Sequence, residues 1–494
     1  MADDMKPMRL SYDPGAGGGF WRAIEGLPGY PAGVHQPIRE MLFESGAIYR
    51  LGEVLAKAGA TRSEAVLVVM DATPMRRGGD SLKPLVQGVL SQDGWRPEEA
   101  VLQTGASGQV HTDFLQIRAV ESRLREGMAV LSLGSGTVTD IAKHACFEHE
   151  RQTGYRPPLV VFQTANSVSA YTSNMAPVFV DGVKRTLASR YPDGLVCDLE
   201  TLCEAPPEMT AAGVGDLLAA FVSLPDWYLA HRLGMNDAYS PLPEALIGPL
   251  DEILVSQAEG IRRQTPDGMA VLAKLIALGG LAMSLAGTTA PMSGLEHAMS
   301  HGIDLVAERR GRPLAAHGSQ VALAAILCCE AYRRFLEAFR PEGDAASTRI
   351  PDARTARAGL ESAFRDVDPQ GGVAQACWPE YEAKLRGWAS ASARRQESLG
   401  RWAEVRAEME RRTRPPERLV EILSAVGAPM AFDQLVPPIP EGAVRSAFRS
   451  APYLRNRVTL GDLFLFVGWD REHLWQEIWR RGVALGQAGV TPGS

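Results

Sequence analysis

The chain has 494 residues, 45% of them hydrophobic and 22% charged, and its formal net charge is −7. This length predicts two domains, and the composition is typical of globular proteins with a hydrophobic core. The acidic balance argues against a general nucleic-acid binder, and six cysteines without a CxxC pair favour a reduced, cytoplasmic protein.

The sequence gives no sign of a membrane segment. The N-terminal residues MADDMKPMRL are polar and lack the apolar region of a signal peptide. The longest apolar run, Val321–Cys329, is too short to cross a bilayer. We therefore expect no membrane partner.

The first 200 residues predict an irregular arm followed by an α/β domain. Residues 1–36 are rich in glycine and proline and form the arm. Between residues 37 and 200, apolar strands such as AVLVVMD, MAVLSLGSG and LVVFQT alternate with helices such as YRLGEVLAKAGA and VTDIAKHACFEHERQTG. This alternation predicts a mostly parallel sheet covered on both faces, as in Rossmann-like nucleotide-binding domains.

The remaining residues, 201–494, predict an all-α domain. Long segments such as VLAKLIALGGLAMSLAG and SQVALAAILCCEAYRRFLEAF have helical periodicity, with almost no strand signal between them. The stretch Arg340–Gly359 is polar and predicts a loop or an insertion.

A glycine-rich turn lies between a predicted strand and a predicted helix. In VLSLGSGTVTDIAK, Gly134 and Gly136 would let the backbone approach a phosphate, and the helix N-terminus would supply N–H groups and a positive dipole. The third glycine of the dinucleotide-binding pattern is missing. The turn therefore predicts either a nucleotide site or a tight turn without a ligand.

Asp71 follows directly after another predicted strand, in AVLVVMD. A carboxylate at a strand end can accept hydrogen bonds from ribose hydroxyls and repel a 2′-phosphate, which favours NAD over NADP. The alternative is that Asp71 or Thr73 only caps the next segment.

A glutamate and two histidines lie close together in SGLEHAMSH. His297 and His301 are four residues apart, so on a helix they share one face. Asp216, in the apolar segment AAGVGDLLAAF, and His317, before another apolar helix, would complete a two-imidazole, one-carboxylate set with His297. Such a set suits a catalytic Zn²⁺, with Fe²⁺ as the second choice. The alternative is that these histidines are ordinary polar residues of a helix.

With these motifs the sequence resembles a known family. The segments LGSGTVTDIAK, GLVCDLETLCEAPPEM, AAGVGD, SGLEHAMSH, HGSQV and YLRNRVTLGDL are similar to those of the glycerol-1-phosphate dehydrogenase family. This family belongs to the iron-containing alcohol dehydrogenase (dehydroquinate synthase-like) superfamily. The likeness runs from about residue 37 to about residue 468 and leaves out the N-terminal arm and the 340–400 stretch.

The resemblance implies roles for particular residues. The implied metal ligands are Asp216, His297 and His317, with Zn²⁺, Fe²⁺ or Ni²⁺ as the ion. The implied cofactor is NAD, or NADP, with its pyrophosphate on Gly134–Thr137. Together with Asp71, the candidate cofactor-binding residues are Gly134, Ser135, Gly136, Thr137, Asp140, Thr164, Ser167 and Ser173.

Two further residues are candidates for the reaction itself. His301 shares a helix face with His297, which predicts a proton relay or a hydrogen bond near the metal. The family's segment Pro-Thr-x-x-Ser-x-Asp-Gly reads QTANSVSA here, so Ser169 stands where the family has an Asp that faces the substrate. Because Ser169 cannot act as a base near neutral pH, proton delivery would fall to His301 or to metal-bound water. Glu296 is either a hydrogen-bond partner near the metal or part of a surface salt bridge.

We therefore expect a metal-dependent, NAD(P)-linked oxidoreductase that reduces dihydroxyacetone phosphate or a related phosphorylated or polyol carbonyl. Lys184, Arg185, Arg455 and Arg457 are candidate cations for the phosphate. One alternative is a relative that acts on another substrate and recycles NAD, as sugar-phosphate cyclases do. The other is a non-catalytic descendant that binds a nucleotide or a partner protein. The resemblance also suggests a homo-oligomer.

Overall fold

The computed structural model describes residues 10–105, 107–180, 182–236, 238–341 and 352–489. The strands in these ranges are β1 (Glu40–Glu44), β2 (Ala65–Met70), β3 (Arg76–Arg77), β4 (Asp80–Ser81), β5 (Arg96–Val101), β6 (Ala129–Gly134), β7 (Leu159–Gln163), β8 (Met175–Val180), β9 (Val183–Ala188) and β10 (Gly194–Asp198). The helices are α1 (Gly18–Glu25), α2 (Leu51–Ala58), α3 (Leu82–Gln92), α4 (Phe114–Glu121), α5 (Gly136–Thr153), α6 (Leu199–Cys203), α7 (Pro207–Leu218), α8 (Ala220–Arg232), α9 (Leu242–Ile247), α10 (Leu250–Arg262), α11 (Pro266–Leu285), α12 (Leu295–Arg309), α13 (His317–Ala338), α14 (Ala353–Phe364), α15 (Gly372–Ser390), α16 (Ser392–Gly400), α17 (Trp402–Arg412), α18 (Pro416–Ala425), α19 (Glu441–Leu454), α20 (Leu460–Phe466) and α21 (Arg471–Gly489).

Six strands form one parallel sheet, in the order β1-β10-β7-β6-β2-β5. Two further pairs, β3–β4 and β8–β9, form small separate sheets. From α6 onwards the described residues contain helices and no strands. The predicted fold class, a parallel α/β sheet followed by an all-helical region, is confirmed.

Both faces of the sheet are buried, which explains why its inner strands are continuous apolar runs. In β2, Val66, Val68 and Met70 face a cluster that includes apolar residues of α2 and α3. The alternate residues Leu67 and Val69 face a second cluster, with residues of α4 and α5. Side chains of a strand point alternately to the two faces, so each of these five residues stabilises one cluster or the other by about 1.5–3 kcal/mol through burial.

β5 is an edge strand that its sequence does not reveal. The segment RPEEAV is mostly polar, and it pairs with β2 at one end of the sheet. An edge strand is paired on one side only, so Pro97 and the charged residues Glu98 and Glu99 are tolerated there. Apolar runs therefore predict the inner strands of the sheet and miss this one.

The described residues divide into two compact units, each discontinuous in sequence. The first comprises residues 1–180, 184–217 and 241–287, and the second comprises 181–183, 218–240 and 288–494. The predicted boundary near residue 200 differs from this division because α9, α10 and α11 belong to the first unit. There α11 packs against β1 and α10. Helical periodicity shows that a segment is a helix, but it does not show which unit the helix joins.

The N-terminal segment contains a helix, so the prediction of an irregular arm over residues 1–36 is wrong for α1. Phe20, Trp21 and Ile24 in this helix are each at most 2% exposed. They are close enough in sequence to share one face of a two-turn helix. The surrounding glycines and prolines concealed that face, and residues 1–9 lie outside the described residues.

The polar stretch Arg340–Gly359 lies partly outside the described residues, which omit 342–351, and its last part belongs to α14. The next helix, α15, is anchored in the second unit by a buried ion pair. Lys384 Nζ on α15 lies 2.8 Å from Asp462 Oδ1 on α20, and neither side chain is exposed. Burial lowers the pKa of Lys384 and raises that of Asp462.

One described helix, α11, is long and apolar enough to cross a membrane by length and composition. Of its most apolar 18-residue window, 78% is buried inside the structure. The core helix of a globular protein passes the same test of length and hydropathy, so α11 is weak evidence for a membrane span.

Candidate metal centre and cofactor turn

Helix α12 carries His297 and His301, and a buried glutamate fixes the ring of the first. Glu296 is 0% exposed, and its Oε1 lies 2.8 Å from His297 Nδ1 and 2.7 Å from the backbone N of Gly294. A carboxylate only accepts, so His297 Nδ1 carries the proton and Nε2 is the acceptor nitrogen of the ring. Carboxylates hold metal-binding histidines in this way. Glu296 is therefore a buried hydrogen-bond partner of His297 and not part of a surface salt bridge.

A relay of side chains fixes the ring of His317, the first residue of α13. Gln320 Nε2 donates to Asp304 Oδ1 and to the Ala315 carbonyl, both at 3.0 Å, so Gln320 Oε1 faces Ser300. Ser300 Oγ donates to that oxygen at 3.2 Å and lies 3.0 Å from His317 Nδ1. The hydroxyl has one proton, so His317 Nδ1 must donate to it. Nε2 is then the acceptor nitrogen of His317 as well.

His301 lies beside both of these rings. Its ring centroid is 6.3 Å from that of His297 and 5.5 Å from that of His317, and those of His297 and His317 are 5.1 Å apart. All three imidazoles are therefore neighbours. The spacing in SGLEHAMSH predicts this for His297 and His301. The proton-relay role of His301 stays a prediction.

The N-terminus of α12 is fixed by Asp226 on α8. Asp226 Oδ2 accepts from the backbone N of Leu295, and Oδ1 accepts from that of Leu460, both at 2.8 Å; the Tyr332 hydroxyl also donates to Oδ1. Leu295 and Leu460 begin α12 and α20, so one carboxylate satisfies N–H groups at two helix N-termini. Burial raises the pKa of Asp226 to about 7, against the opposing effect of these donors. Asp226 thereby fixes the helix that carries His297.

Asp216 lies in the last turn of α7 and is 5% exposed. Its Oδ2 accepts from the backbone N of Ser169 at 2.9 Å and from Ser169 Oγ at 2.6 Å. The hydroxyl of Ser169 thus donates to the carboxylate of a candidate metal ligand. Its role at the substrate stays a prediction.

Among the described residues, Asp216 of the first unit offers a carboxylate oxygen, and His297 and His317 of the second unit offer two imidazole nitrogens, a donor set that could hold a metal ion. Two imidazole nitrogens and one carboxylate oxygen are the donors of many catalytic Zn²⁺ sites and of non-haem Fe²⁺ sites. The residues therefore fit a divalent metal ion. Which ion they bind stays a prediction.

The glycine turn lies at the N-terminus of α5, where the range Ser135–Thr137 follows β6. A Cβ on Gly134 would lie 2.6 Å from Val138, and a Cβ on Gly136 would collide with Val168. Packing against Val138 of α5 and Val168 of the loop after β7 therefore favours glycine at both positions, with or without a ligand. The prediction that this turn binds pyrophosphate is compatible with this packing but does not follow from it.

The other candidate cofactor residues around the turn are buried and make local contacts. Thr164 N donates to the Gly134 carbonyl at 3.3 Å, the hydroxyls of Ser167 and Tyr171 are 3.1 Å apart, and Ser173 Oγ accepts from Met175 N at 3.1 Å. Their roles in cofactor binding stay predictions.

Asp140 pairs with a buried lysine that the sequence analysis missed. Lys143 is 0% exposed, and its Nζ lies 3.0 Å from Asp140 Oδ1. Burial raises the pKa of Asp140, and Lys143 opposes that rise. The available signal was a Lys three residues after an Asp in an apolar helix, since this spacing places both on one face.

Asp71 forms a local turn. Its carboxylate accepts from Thr73 N at 3.1 Å and from Thr73 Oγ1 at 2.9 Å. The next helix, α3, begins at Leu82, so the alternative that Asp71 caps this helix is wrong. The ribose-binding role stays a prediction.

Two candidate phosphate cations have other contacts in the structure. The guanidinium of Arg457 donates to the Ser293 carbonyl at 2.7 Å and to Thr289 Oγ1 at 2.5 Å, just before α12. Burial lowers the pKa of Arg457 to about 10. Lys184 Nζ lies 5.5 Å from the centre of the Phe179 ring.

Comparison with known proteins extends these observations. A family model for iron-containing alcohol dehydrogenase matches residues 42–206. The glycerol-1-phosphate dehydrogenase [NAD(P)+] of Halalkalibacterium halodurans is 30% identical over 309 residues, or 62% of this chain and 74% of the relative. That of Bacillus subtilis is 27% identical over 398 residues, or 80% of this chain and 84% of the relative. The structure of NADH-dependent butanol dehydrogenase A from Thermotoga maritima matches 92% of this chain and 98% of its own, with 17% identity and a TM-score of 0.51.

The protein belongs to the iron-containing alcohol dehydrogenases, and within them to the glycerol-1-phosphate dehydrogenase family. It is therefore an oxidoreductase that acts on a CH–OH group. The predicted resemblance is confirmed.

Proposed function

We propose that the protein reduces dihydroxyacetone phosphate to glycerol 1-phosphate with NADH or NADPH and one divalent metal ion. The observation that carries this proposal is the donor set for a metal ion: the carboxylate of Asp216 in the first unit, and the imidazoles of His297 and His317, whose ring centroids are 5.1 Å apart in the second unit. Further support comes from the relatives, which are named for glycerol 1-phosphate and NAD(P)+.

A metal ion in this group would act as a Lewis acid on the substrate oxygen, and the nicotinamide would supply the hydride. The chain itself fixes the ligands beforehand. Glu296 and Ser300 hold the protons of His297 and His317 on Nδ1, so that both Nε2 atoms are acceptors. Neither ring has to change tautomer when the ion binds.

His301 is the residue that we propose for proton delivery. Its ring is 7% exposed and neighbours both ligand imidazoles. Among the ionisable side chains, histidine has its ordinary pKa nearest to neutral pH. Ser169 cannot take this role, because its hydroxyl does not ionise near neutral pH and donates to Asp216.

The cofactor would bind at the turn before α5. This helix presents the N–H groups and positive dipole of an N-terminus, and the loop that follows β7 contacts the turn through Thr164 and Val168. We propose NAD as the preferred cofactor, because the Asp71 carboxylate would repel a 2′-phosphate. We also propose that the protein is a cytoplasmic homo-oligomer with no nucleic-acid or membrane partner.

The test is a direct assay of the purified full-length protein. Protein loaded in turn with Zn²⁺, Fe²⁺ or Ni²⁺ is mixed with NADH and dihydroxyacetone phosphate, and the loss of nicotinamide absorbance is followed. A chelated sample and the His297→Ala variant are the controls for metal dependence. The His473→Ala variant, which removes an exposed histidine of α21, controls for unspecific effects.

We expect rapid loss of absorbance that the chelator and His297→Ala abolish and that His473→Ala leaves unchanged. No loss from protein that holds one metal ion and binds NADH would reject dihydroxyacetone phosphate as the substrate while keeping the metal site. Turnover that survives both the chelator and His297→Ala would reject the metal site.

A further inference from the structure

We propose that Ser169 is a positioning residue of the metal site, which holds the Asp216 carboxylate in its ligating orientation, and that the buried Lys143 holds Ser169. The inference rests on the proposed metal site and assigns a role to a residue that differs from the family pattern. It extends the site to the loop between β7 and β8, residues 164–174, called the 164–174 loop below.

The first step is the contact between Ser169 and Asp216. The backbone N–H and the hydroxyl of Ser169 both donate to Oδ2 of Asp216. Two donors on one oxygen fix both the plane and the rotation of the carboxylate, and so determine where Oδ1 lies. An ionised Asp at position 169 could not supply the side-chain donor, because a carboxylate only accepts. Ser in place of Asp thus converts a side chain that faces the substrate into one that holds a ligand.

The second step is the anchoring of the 164–174 loop by Lys143. Its Nζ donates to the carbonyls of Ala170 at 2.7 Å, Ser173 at 3.0 Å and Met175 at 3.0 Å. Three carbonyls use all three donors of the ammonium group, and Asp140 balances its charge. A buried lysine on α5 therefore holds the residues directly after Ser169.

The third step is the close packing of the loop against two helices. A Cβ on Gly213 of α7 would collide with the Asn166 carbonyl, and a Cβ on Gly280 of α11 would lie 2.6 Å from the Ser169 carbonyl. Thr172 Oγ1 also donates to the Ala277 carbonyl on α11 at 2.7 Å. With its backbone held on these sides, the loop cannot shift to compensate for a lost contact at Asp216.

The test compares metal affinity in two matched variants of the full-length protein. Ser169→Ala removes the hydroxyl that donates to Asp216. Thr201→Val removes a hydroxyl with the same arrangement elsewhere in the same unit, since Thr201 N and Oγ1 both donate to the buried Oδ2 of Asp198 at 3.1 and 2.9 Å. Affinity for Zn²⁺ is measured by competition with a chromogenic chelator, and metal-free thermal unfolding is recorded for both variants.

We expect Ser169→Ala to weaken Zn²⁺ binding by about ten- to a hundredfold, the usual effect of removing a partner of a metal ligand. Thr201→Val should bind Zn²⁺ as the wild type does, and Ser169→Thr, which keeps the hydroxyl, should restore most of the affinity. A merely structural role would lower the unfolding temperature of both variants and leave Zn²⁺ affinity unchanged in both.

The outcomes separate this inference from the proposed function on which it rests. If Ser169→Ala binds Zn²⁺ as tightly as the wild type while Asp216→Asn does not, the role of Ser169 is rejected and the metal site stands. If Asp216→Asn also binds as tightly as the wild type, the metal site is rejected, and the positioning role is rejected with it.

Discussion

The carboxylate and the imidazoles of the candidate metal centre are held in two different ways. Asp216 is held by the 164–174 loop, through a backbone N–H and one hydroxyl, and a buried lysine fixes that loop. His297 and His317 are held by side chains of the two helices that carry them, with Glu296, Ser300 and Gln320 as partners. One ligand therefore depends on a loop, and the other two depend on side-chain hydrogen bonds within α12 and between α12 and α13.

This difference decides which mutations each part tolerates. A hydrogen bond between helix side chains can be removed while the backbone stays in place, so its loss should affect metal affinity more than stability. The loop has no such independence, because Lys143 supports two of its carbonyls and that of Met175, the first residue of β8, at once. Removing Lys143 should affect stability first.

The largest expected effect comes from the ligands themselves. Asp216→Ala and His297→Ala should each lose bound metal and turnover, because each removes one of three donors. Metal content by elemental analysis and NADH oxidation check this. Retention of wild-type metal content by either variant would contradict the ligand assignment.

The next effect is one of stability. Lys143→Met should cost about 3–5 kcal/mol, because it leaves Asp140 as an uncompensated buried charge and three carbonyls without a donor. Urea unfolding of the metal-free protein measures this. The double variant Asp140→Asn, Lys143→Met should recover part of the loss, and a single variant as stable as the wild type would show that the loop does not depend on Lys143.

A smaller effect is expected in the helices. Ser300→Ala should weaken Zn²⁺ binding by about tenfold, because His317 loses the acceptor that holds its proton on Nδ1. Ser450→Ala is the matched control, since Ser450 is also buried and its hydroxyl donates to carbonyls of its own helix, α19. Equal Zn²⁺ affinities for the two variants would show that the hydrogen bonds from His317 through Ser300 to Gln320 do not affect metal binding.

The smallest effect is expected at Asp71. Asp71→Ala should change the ratio of kcat/KM for NADH over NADPH by less than tenfold in favour of NADPH, because the side chain would lose its repulsion of the 2′-phosphate. Steady-state kinetics with both cofactors measure the ratio. An unchanged ratio would mean that Asp71 has no part in cofactor choice and serves its local contacts with Thr73 and Lys83.

Sequence reasoning succeeded where the chemistry is local. His297 and His301 are four residues apart on one helix, and their neighbourhood follows from helix geometry. The inner strands could be predicted equally well from their apolar runs, since both faces of the sheet are buried. The polar edge strand β5 and the short helix α1 lacked such a signal.

The contacts that could not be predicted join distant parts of the chain. Ser169 meets Asp216 across 47 residues, and Lys143 meets its three carbonyl partners across 27 to 32 residues. No periodicity encodes contacts of this kind. The departure of Ser169 from the family pattern marked the position as unusual, but only the tertiary structure gives it a partner.

The composition of β5 also bears on how the protein behaves when concentrated. A sheet edge exposes backbone groups that can pair with another chain. Here Pro97 has no N–H to donate, and the charged side chains of Glu98, which is paired with Arg125, and Glu99 follow it. We expect the polarity that hides β5 from sequence analysis to disfavour edge-to-edge aggregation. A designer who replaced RPEEAV by a stronger β-former would gain local strand propensity at the cost of colloidal solubility.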